Sequence, residues 1–263
     1  MEIEQIISNP ELKKYEYFRT DKGVLYKGDC HKVMQHLQEK SIDLILFSPP
    51  YNMGGGKSLG SQPNSSVGNR FYGEYQDNKN DHEYREWLQD IIEYSLKISR
   101  YVFCNIQFLR STRGIISDIH NLYADNLKDI FIWNKQCVSN ITAKHGGMGK
   151  GYEIVFMMGQ DNKSIFKHNN FPENGYVPNI KTWYKKEFFK EHHATFPVEM
   201  PMYFIENFTK KDDVVLDIFN GTGTTCYSAE KLGRRWIGIE TEEQYCDIAK
   251  KRIQSEYNQL KMF

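Results

Sequence analysis

Ser48-Pro49-Pro50-Tyr51 follow directly on the apolar run Asp43-Leu44-Ile45-Leu46-Phe47. A strand that empties into a double-proline turn holds main-chain carbonyls in a set geometry, because proline locks φ and removes the backbone donor. Ser48 Oγ and the Pro49 carbonyl then stand as two acceptors, with the Tyr51 ring as a stacking face. An exocyclic amine on a nucleobase, stripped of two hydrogen-bonded protons, is a target of that kind. The plainer role of Pro-Pro after a strand is to end it.

A second constellation lies far along the chain. Val214-Val215-Leu216-Asp217-Ile218-Phe219 is a β-rich run, followed by Asn220-Gly221-Thr222-Gly223-Thr224-Thr225 and then a helix-compatible stretch from Tyr227 to Leu232. Strand, glycine turn and helix N-terminus is the arrangement that receives part of a cofactor, with Gly223 permitting close backbone approach. Arg235-Trp236-Ile237-Gly238-Ile239-Glu240 reads as a second strand ending in a carboxylate, about twenty residues after the first glycine, the spacing of a ribose-binding acid. A triphosphate-binding loop needs Lys and Ser/Thr after its last glycine, and Thr224-Thr225 stand there instead. A dinucleotide cofactor stays open but Cys226 occupies the third small position; the remaining choice is S-adenosylmethionine.

With these motifs in place the chain resembles the DNA amino-methyltransferases, which modify the exocyclic nitrogen of cytosine or adenine. The resemblance rests on Ser48-Pro49-Pro50-Tyr51, on Phe219 to Thr225, on Gly28-Asp29 some twenty residues before the tetrapeptide, and on His193-Ala194-Thr195-Phe196-Pro197. The catalytic motif precedes the cofactor glycines, an order similar to the circularly permuted beta class with its target recognition segment in between. The resemblance implies a catalytic set of Ser48, Pro49, Pro50 and Tyr51. It implies S-adenosylmethionine held by Asp29, Cys30, Ser48, His193, Thr195, Phe196, Asp217, Phe219, Asn220, Gly221, Gly223, Thr224, Thr225 and Glu240. Double-stranded DNA is the implied partner, with room for a homodimer and for a cognate restriction endonuclease. Two features depart from the adenine enzymes: many carry Asp where Ser48 stands, and Gln-Lys-Pro or similar where Thr195-Phe196-Pro197 stands.

Composition bounds the rest. A chain of 263 residues buries a sizeable core as one α/β domain, leaving little for a second. Lys+Arg and Asp+Glu balance at 34 each, so any pull on nucleic acid comes from local patches. Five cysteines without a C-x-x-C pair offer neither a zinc site nor a disulfide framework, and point to a reducing compartment. No metal site is expected: His192-His193 lack a third ligand at usable spacing. Neither a long apolar segment nor a leader is visible, so a cytoplasmic protein without membrane spans is the expectation.

Strands are predicted over 24–27, 43–47, 101–106, 130–133, 153–158, 214–218 and 236–239, several as near-continuous apolar runs suited to burial on both faces. Tyr84, Trp87, Leu88, Ile91, Ile92 and Leu96 recur at helical spacing after an Asp81 cap. Tyr245, Ile248, Ala249 and Ile253 do so after a Thr241/Gln244 capping box. These stripes read as core, and their aromatic members carry no assigned function. The alternation argues a Rossmann-like doubly wound sheet, and the family implies about seven strands with one antiparallel hairpin before the recognition segment.

Two stretches lie outside that pattern. Residues 53–80, rich in Gly, Ser and Asn at their start, are a flexible loop that orders over DNA or a mere linker. Residues 160–192 interleave lysines with Phe166, Phe171, Trp183, Tyr184 and Phe188, the composition of a target recognition segment; Lys181, Lys185, Lys186 and Lys190 are its expected phosphate contacts. A solvated lysine-rich surface with its own apolar cluster is the plainer alternative. Trp133-Asn134-Lys135, at a strand end, is expected to wall the target pocket or to belong to the core.

The reading reached is a methyl transfer to cytosine N4 in duplex DNA with the base turned out, since the acceptors cannot reach a stacked base. Adenine N6 is the alternative by family resemblance, with Ser48 and Phe196-Pro197 leaning toward cytosine. A catalytically silent nucleic-acid-binding module is the alternative of another class, and an NAD-linked oxidoreductase leaves the double proline without a role.

Overall fold

The computed structural model describes residues 3–52, 79–135, 149–160, 177–184 and 196–260. Among these a single mixed sheet of nine strands runs in the order β1-β2-β9-β8-β3-β4-β6-β5-β7. The strands are β1 Glu16–Arg19, β2 Gly23–Lys27, β3 Ile42–Phe47, β4 Ser99–Ile106, β5 Leu127–Asn134, β6 Tyr152–Gly159, β7 Ile180–Thr182, β8 Val214–Asp217 and β9 Arg235–Glu240. The pairs from β2 through β4 are parallel; β6 runs antiparallel to both β4 and β5, so β5 and β6 form the expected hairpin.

Alternation along each strand feeds two cores. Ile45, Phe47, Val102, Leu216 and Ile237 join a cluster with Leu88, Ile91, Ile92 and Ile115 of the helices Asp81–Ile98 and Arg113–Leu122. Leu44, Leu46, Phe103, Val215 and Trp236 join another with Phe204, Ala229, Cys246 and Ile253 of the helices Glu199–Phe208, Thr224–Lys231 and Glu243–Leu260. Helices on both faces are what buried parallel strands require.

Two strands exceed the expected number. β1 and β7 are edge strands of four and three residues, too short and too exposed to show an apolar period. β7 lies inside 160–192, so part of the predicted recognition segment belongs to the sheet, paired parallel with β5. Its neighbour Trp183 stacks on Phe131 at 5.6 Å and meets Tyr203 and Phe204; this expected base contact is a wall of the second core. Trp133 is likewise core, 5% exposed, with its Nε1–H donating to the Trp183 carbonyl.

Helix caps also shift. Asn80, rather than Asp81, caps the helix Asp81–Ile98, in a reciprocal capping box with Glu83. The last helix begins at Glu243, one residue too late for a Thr241 cap. The Thr241 hydroxyl instead faces Glu240 Oε1 at 3.3 Å.

Candidate active site

β3 and β8 are neighbours, and the chain leaves them toward opposite sides of the sheet: β8 continues to β9, β3 to β4. Such a reversal of strand order opens a crevice at the carboxyl ends of the strands. A cavity of about 990 Å³, open mouth included, lies there. Its walls come from four strand ends: Gly28, Asp29 and Cys30 after β2; Ser48 to Tyr51 after β3; Asp217 to Thr222 with Thr224 at β8; and Ile239 to Glu242 at β9. Phe196, Trp87 and Tyr245 complete it. The tetrapeptide and the glycine turn, some 170 residues apart in sequence, therefore share one cavity.

The expected residues that fall among those described take the following places. Asp29 caps the short helix Cys30–Met34 through the Lys32 N–H. Glu240 accepts the Gly221 N–H at 2.6 Å on Oε2, and the Thr241 and Glu242 N–H groups at 2.9 Å each on Oε1. Burial pushes its carboxyl up, against these three donors, which favour the anion. Burial also pushes Asp217 up to about 7; the Thr225 hydroxyl and the Phe219 N–H oppose it, and the charge of Glu240 adds to it. The Phe219 ring lies 5.7 Å from Phe47 and 5.6 Å from Trp87. Gly223 and Thr225 do not line the cavity. Gly223 sits at φ 80 at the start of the helix Thr224–Lys231, and an added Cβ would lie 2.8 Å from the Ala249 Cβ; the backbone conformation and the packing of the two helices both require glycine there. Lys181, on β7, holds its ammonium 3.9 Å above the Tyr203 ring centroid. His193, Thr195, Lys185, Lys186 and Lys190, with 53–78 of the loop, lie outside the described residues.

The residues suit a nucleoside-bearing group. Both side-chain polar atoms of Asn220 are buried without a partner among the described residues, and Gly238, where a Cβ would fall 2.9 Å from Asn220 Cγ, leaves the room that seats this amide. A buried amide with no partner carries a desolvation cost that a bound polar ligand relieves. Aromatic Trp87, Phe219 and Tyr245 with apolar Ile218 and Ile239 offer faces for a flat ring, and Glu240 offers acceptors for hydroxyls.

The tetrapeptide is held by residues that sequence reasoning passed over. The Tyr84 hydroxyl donates to the Pro50 carbonyl at 2.8 Å, whereas among the described residues no donor is directed at the Pro49 carbonyl. Ser48 Oγ lies 3.0 Å from the Tyr51 hydroxyl, which donates to Glu153 Oε2 at 3.0 Å. Asn105 donates to the same oxygen at 2.7 Å, and Lys135 to Oε1 at 2.9 Å. Lys135 thus reaches the target side of the site through Glu153, with its ammonium 5.8 Å from the ring centroid of Trp133, the residue paired with Glu153 across β5 and β6. Tyr84, Trp87 and Tyr245, read as core stripes, each contribute to the site from helices; helical spacing marks an inward face but not what that face meets.

Residues 42–251 match the model of the DNA methylase family that covers N6 and N4 methyltransferases, and the chain belongs to that family. It is 31% identical to the type II methyltransferase M.HinfI of Haemophilus influenzae over 88% of this chain and 68% of that protein. To M2.DpnII of Streptococcus pneumoniae it is 24% identical, over 91% of this chain and 92% of that one. In fold it is similar to the PvuII DNA methyltransferase (cytosine-N4-specific), with a TM-score of 0.69 at 19% identity, covering 94% and 95% of the two chains. A structure of the M1.HpyAVI complex with S-adenosylmethionine superposes with a TM-score of 0.57 at 20% identity, covering 87% and 98%. The family is S-adenosylmethionine-dependent. Among the described residues no helix is long and apolar enough to cross a membrane, and no cluster of His, Cys, Asp and Glu is set to hold a metal.

Proposed function

We propose that this chain transfers a methyl group from S-adenosylmethionine to cytosine N4 in duplex DNA, on a base turned out of the helix. One observation carries the reading: two neutral acceptors, Ser48 Oγ and the Pro49 carbonyl, stand on the wall of the cavity that also presents Glu240 and the unpartnered Asn220 amide. The cofactor supplies a methyl group on a sulfonium, already strongly electrophilic. The protein's task is therefore to hold the amine and align it. A base amine is a poor nucleophile because its lone pair is delocalised into the ring. Two acceptors on its protons favour the pyramidal nitrogen whose lone pair is free to attack.

Phe196, Asp217 and Phe219 with Gly221 and Thr224 are assigned to the cofactor, as are Asp29 and Cys30. The Tyr51 ring is assigned to the extruded base. The surface at the adjoining ends of β4 and β6 suits nucleic acid: Phe108 and Tyr152 are exposed there at 40% and 42%, and Lys150 lies 5.4 Å from the Phe108 ring centroid. Such aromatic and basic neighbours serve base stacking and phosphate contact; Lys181 is assigned to phosphate on the same edge. The type II names of its relatives support a place beside a cognate restriction endonuclease.

The family model spans both N6 and N4 chemistry, and the preference for cytosine rests on Ser48 in place of a carboxylate. Mass spectrometry of nucleosides from DNA treated with the protein is expected to show N4-methylcytosine. N6-methyladenine alone would move the target to adenine, and no methylated base would defeat the reading.

A further inference from the structure

We infer that Glu153 is the terminal acceptor of a proton relay that runs from the target amine through Ser48 and Tyr51. The inference rests on the methyl-transfer reading above and adds a positioning residue to it, on β6 and outside the tetrapeptide.

One proton sets the direction of the chain. A phenol has one to donate, and that of Tyr51 goes to Glu153 Oε2 at 3.0 Å. Toward Ser48 Oγ, 3.0 Å away, the Tyr51 oxygen is therefore the acceptor, and the Ser48 proton is committed to it. This leaves the Ser48 lone pairs directed at the cavity, so Ser48 is set as an acceptor before the amine arrives. A serine hydroxyl left to rotate would offer its proton as readily as its lone pairs.

Glu153 is built to hold that direction. It is 8% exposed, so its charge requires partners. Lys135 supplies a cation at 2.9 Å on Oε1, and Asn105 donates at 2.7 Å to Oε2. Among the described residues Tyr51 and Lys135 are the titratable groups that face it, from the turn after β3 and the end of β5, with neutral Asn105 on β4 between them. Residues 48, 51, 105, 135 and 153 come from four separate segments, and a purely structural ion pair would have no need to end at the catalytic turn.

The step balances. The amine nitrogen forms its bond to the methyl carbon as the carbon–sulfur bond breaks, and sulfur keeps that electron pair. The nitrogen, now carrying one proton too many, passes it to Ser48 Oγ; Ser48 gives its own to Tyr51, and Tyr51 its own to Glu153. The carboxylate becomes a carboxylic acid and returns the proton to solvent as the methylated base leaves.

Glu153→Gln keeps the shape and removes the acceptor of the proton; Tyr51→Phe keeps the stacking ring and breaks the chain. Each is expected to lower kcat roughly a hundredfold, the usual size of a positioned proton acceptor, with S-adenosylmethionine affinity by calorimetry and KM for DNA unchanged. The acidic limb of the kcat profile should vanish in both. The double variant should be no slower than the slower single one, since residues of one relay are not additive. A Glu153→Gln protein that binds cofactor and retains the wild-type kcat and acidic limb would overturn the relay. If that variant fails to bind cofactor, Tyr51→Phe decides by the same readouts, wild-type kcat overturning the relay and a lost acidic limb supporting it. A wild-type protein that methylates no base overturns both the relay and the reading beneath it; methylation with unaffected variants overturns the relay alone.

Discussion

Gly223 and Ala249 are pressed together where the helices Thr224–Lys231 and Glu243–Leu260 cross, so that a Cβ on the glycine would stand 2.8 Å from the alanine Cβ and 3.1 Å from its Cα. The φ of 80 at Gly223 adds a second reason for glycine, since that region is strained for a residue with a Cβ.

Gly223→Ala is therefore expected to act on stability first, costing roughly 1–3 kcal/mol from overpacking and backbone strain together. The folded protein should still bind S-adenosylmethionine, because Gly223 is not on the cavity wall. Adding Ala249→Gly should recover the overpacking part and leave the backbone part. Thermal unfolding of the three proteins, with calorimetry on the folded ones, tests this; a Gly223→Ala protein of wild-type stability and lost affinity would return the glycine to the cofactor.

Asn220 and Glu240 differ in what holds them. The Asn220 side chain has no partner among the described residues, so Asn220→Ala removes no internal hydrogen bond and should leave the melting temperature nearly unchanged. It should weaken S-adenosylmethionine binding about tenfold, the worth of one hydrogen bond to a buried partner. Glu240→Gln replaces one oxygen that accepts backbone N–H groups with a donor, and should lose affinity and stability together. Equal melting temperatures and equal affinities for wild type and both variants would remove these residues from the cofactor.

Asp217 gives the fold a pH dependence of known sign. Its carboxyl is raised in the folded protein to about 7 from an ordinary value of 3.8 by burial. Between those values the folded state holds a proton that the unfolded state has released, so this residue's contribution to stability falls as pH rises through the window and levels off above it. Asp217→Asn keeps an oxygen for the Phe219 N–H, which Asp217 Oδ1 accepts at 3.0 Å. The variant should be more stable than wild type at pH 8, by on the order of a few kcal/mol, and its advantage should fade toward pH 4. Denaturant unfolding of both proteins across that range checks the sign; an advantage that grows on acidification would contradict it.

Local chemistry in the sequence determined the two turns that define the site. A double proline after an apolar run and a glycine turn after another state their own backbone geometry, through locked φ at Pro49 and Pro50 and a tolerated positive φ at Gly221 and Gly223. Near-continuous apolar runs likewise made β3, β4, β6 and β8 legible, because strands covered on both faces need apolar residues at every position. The edge strands β1 and β7, half in solvent, left no such trace.

Sheet order was decided only in three dimensions, and with it everything that depends on which strands are neighbours. Tyr51 and Glu153 are 102 residues apart, and they meet because β6 turns back antiparallel beside β4. Trp87 reaches the cavity because its helix lies over the sheet face from which Phe219 emerges, whereas its spacing in sequence states only that it points inward. Trp133 stands at a strand end beside the site: its ring joins the second core and shares its face with Lys135, two residues on, whose ammonium lies 5.8 Å from that ring and reaches Glu153; only the pairing of β5 with β6 sets Glu153 opposite it. Side-chain period is a property of one segment. Which residues a face meets is a property of the packing between segments, and that is settled by the burial of both cores at once.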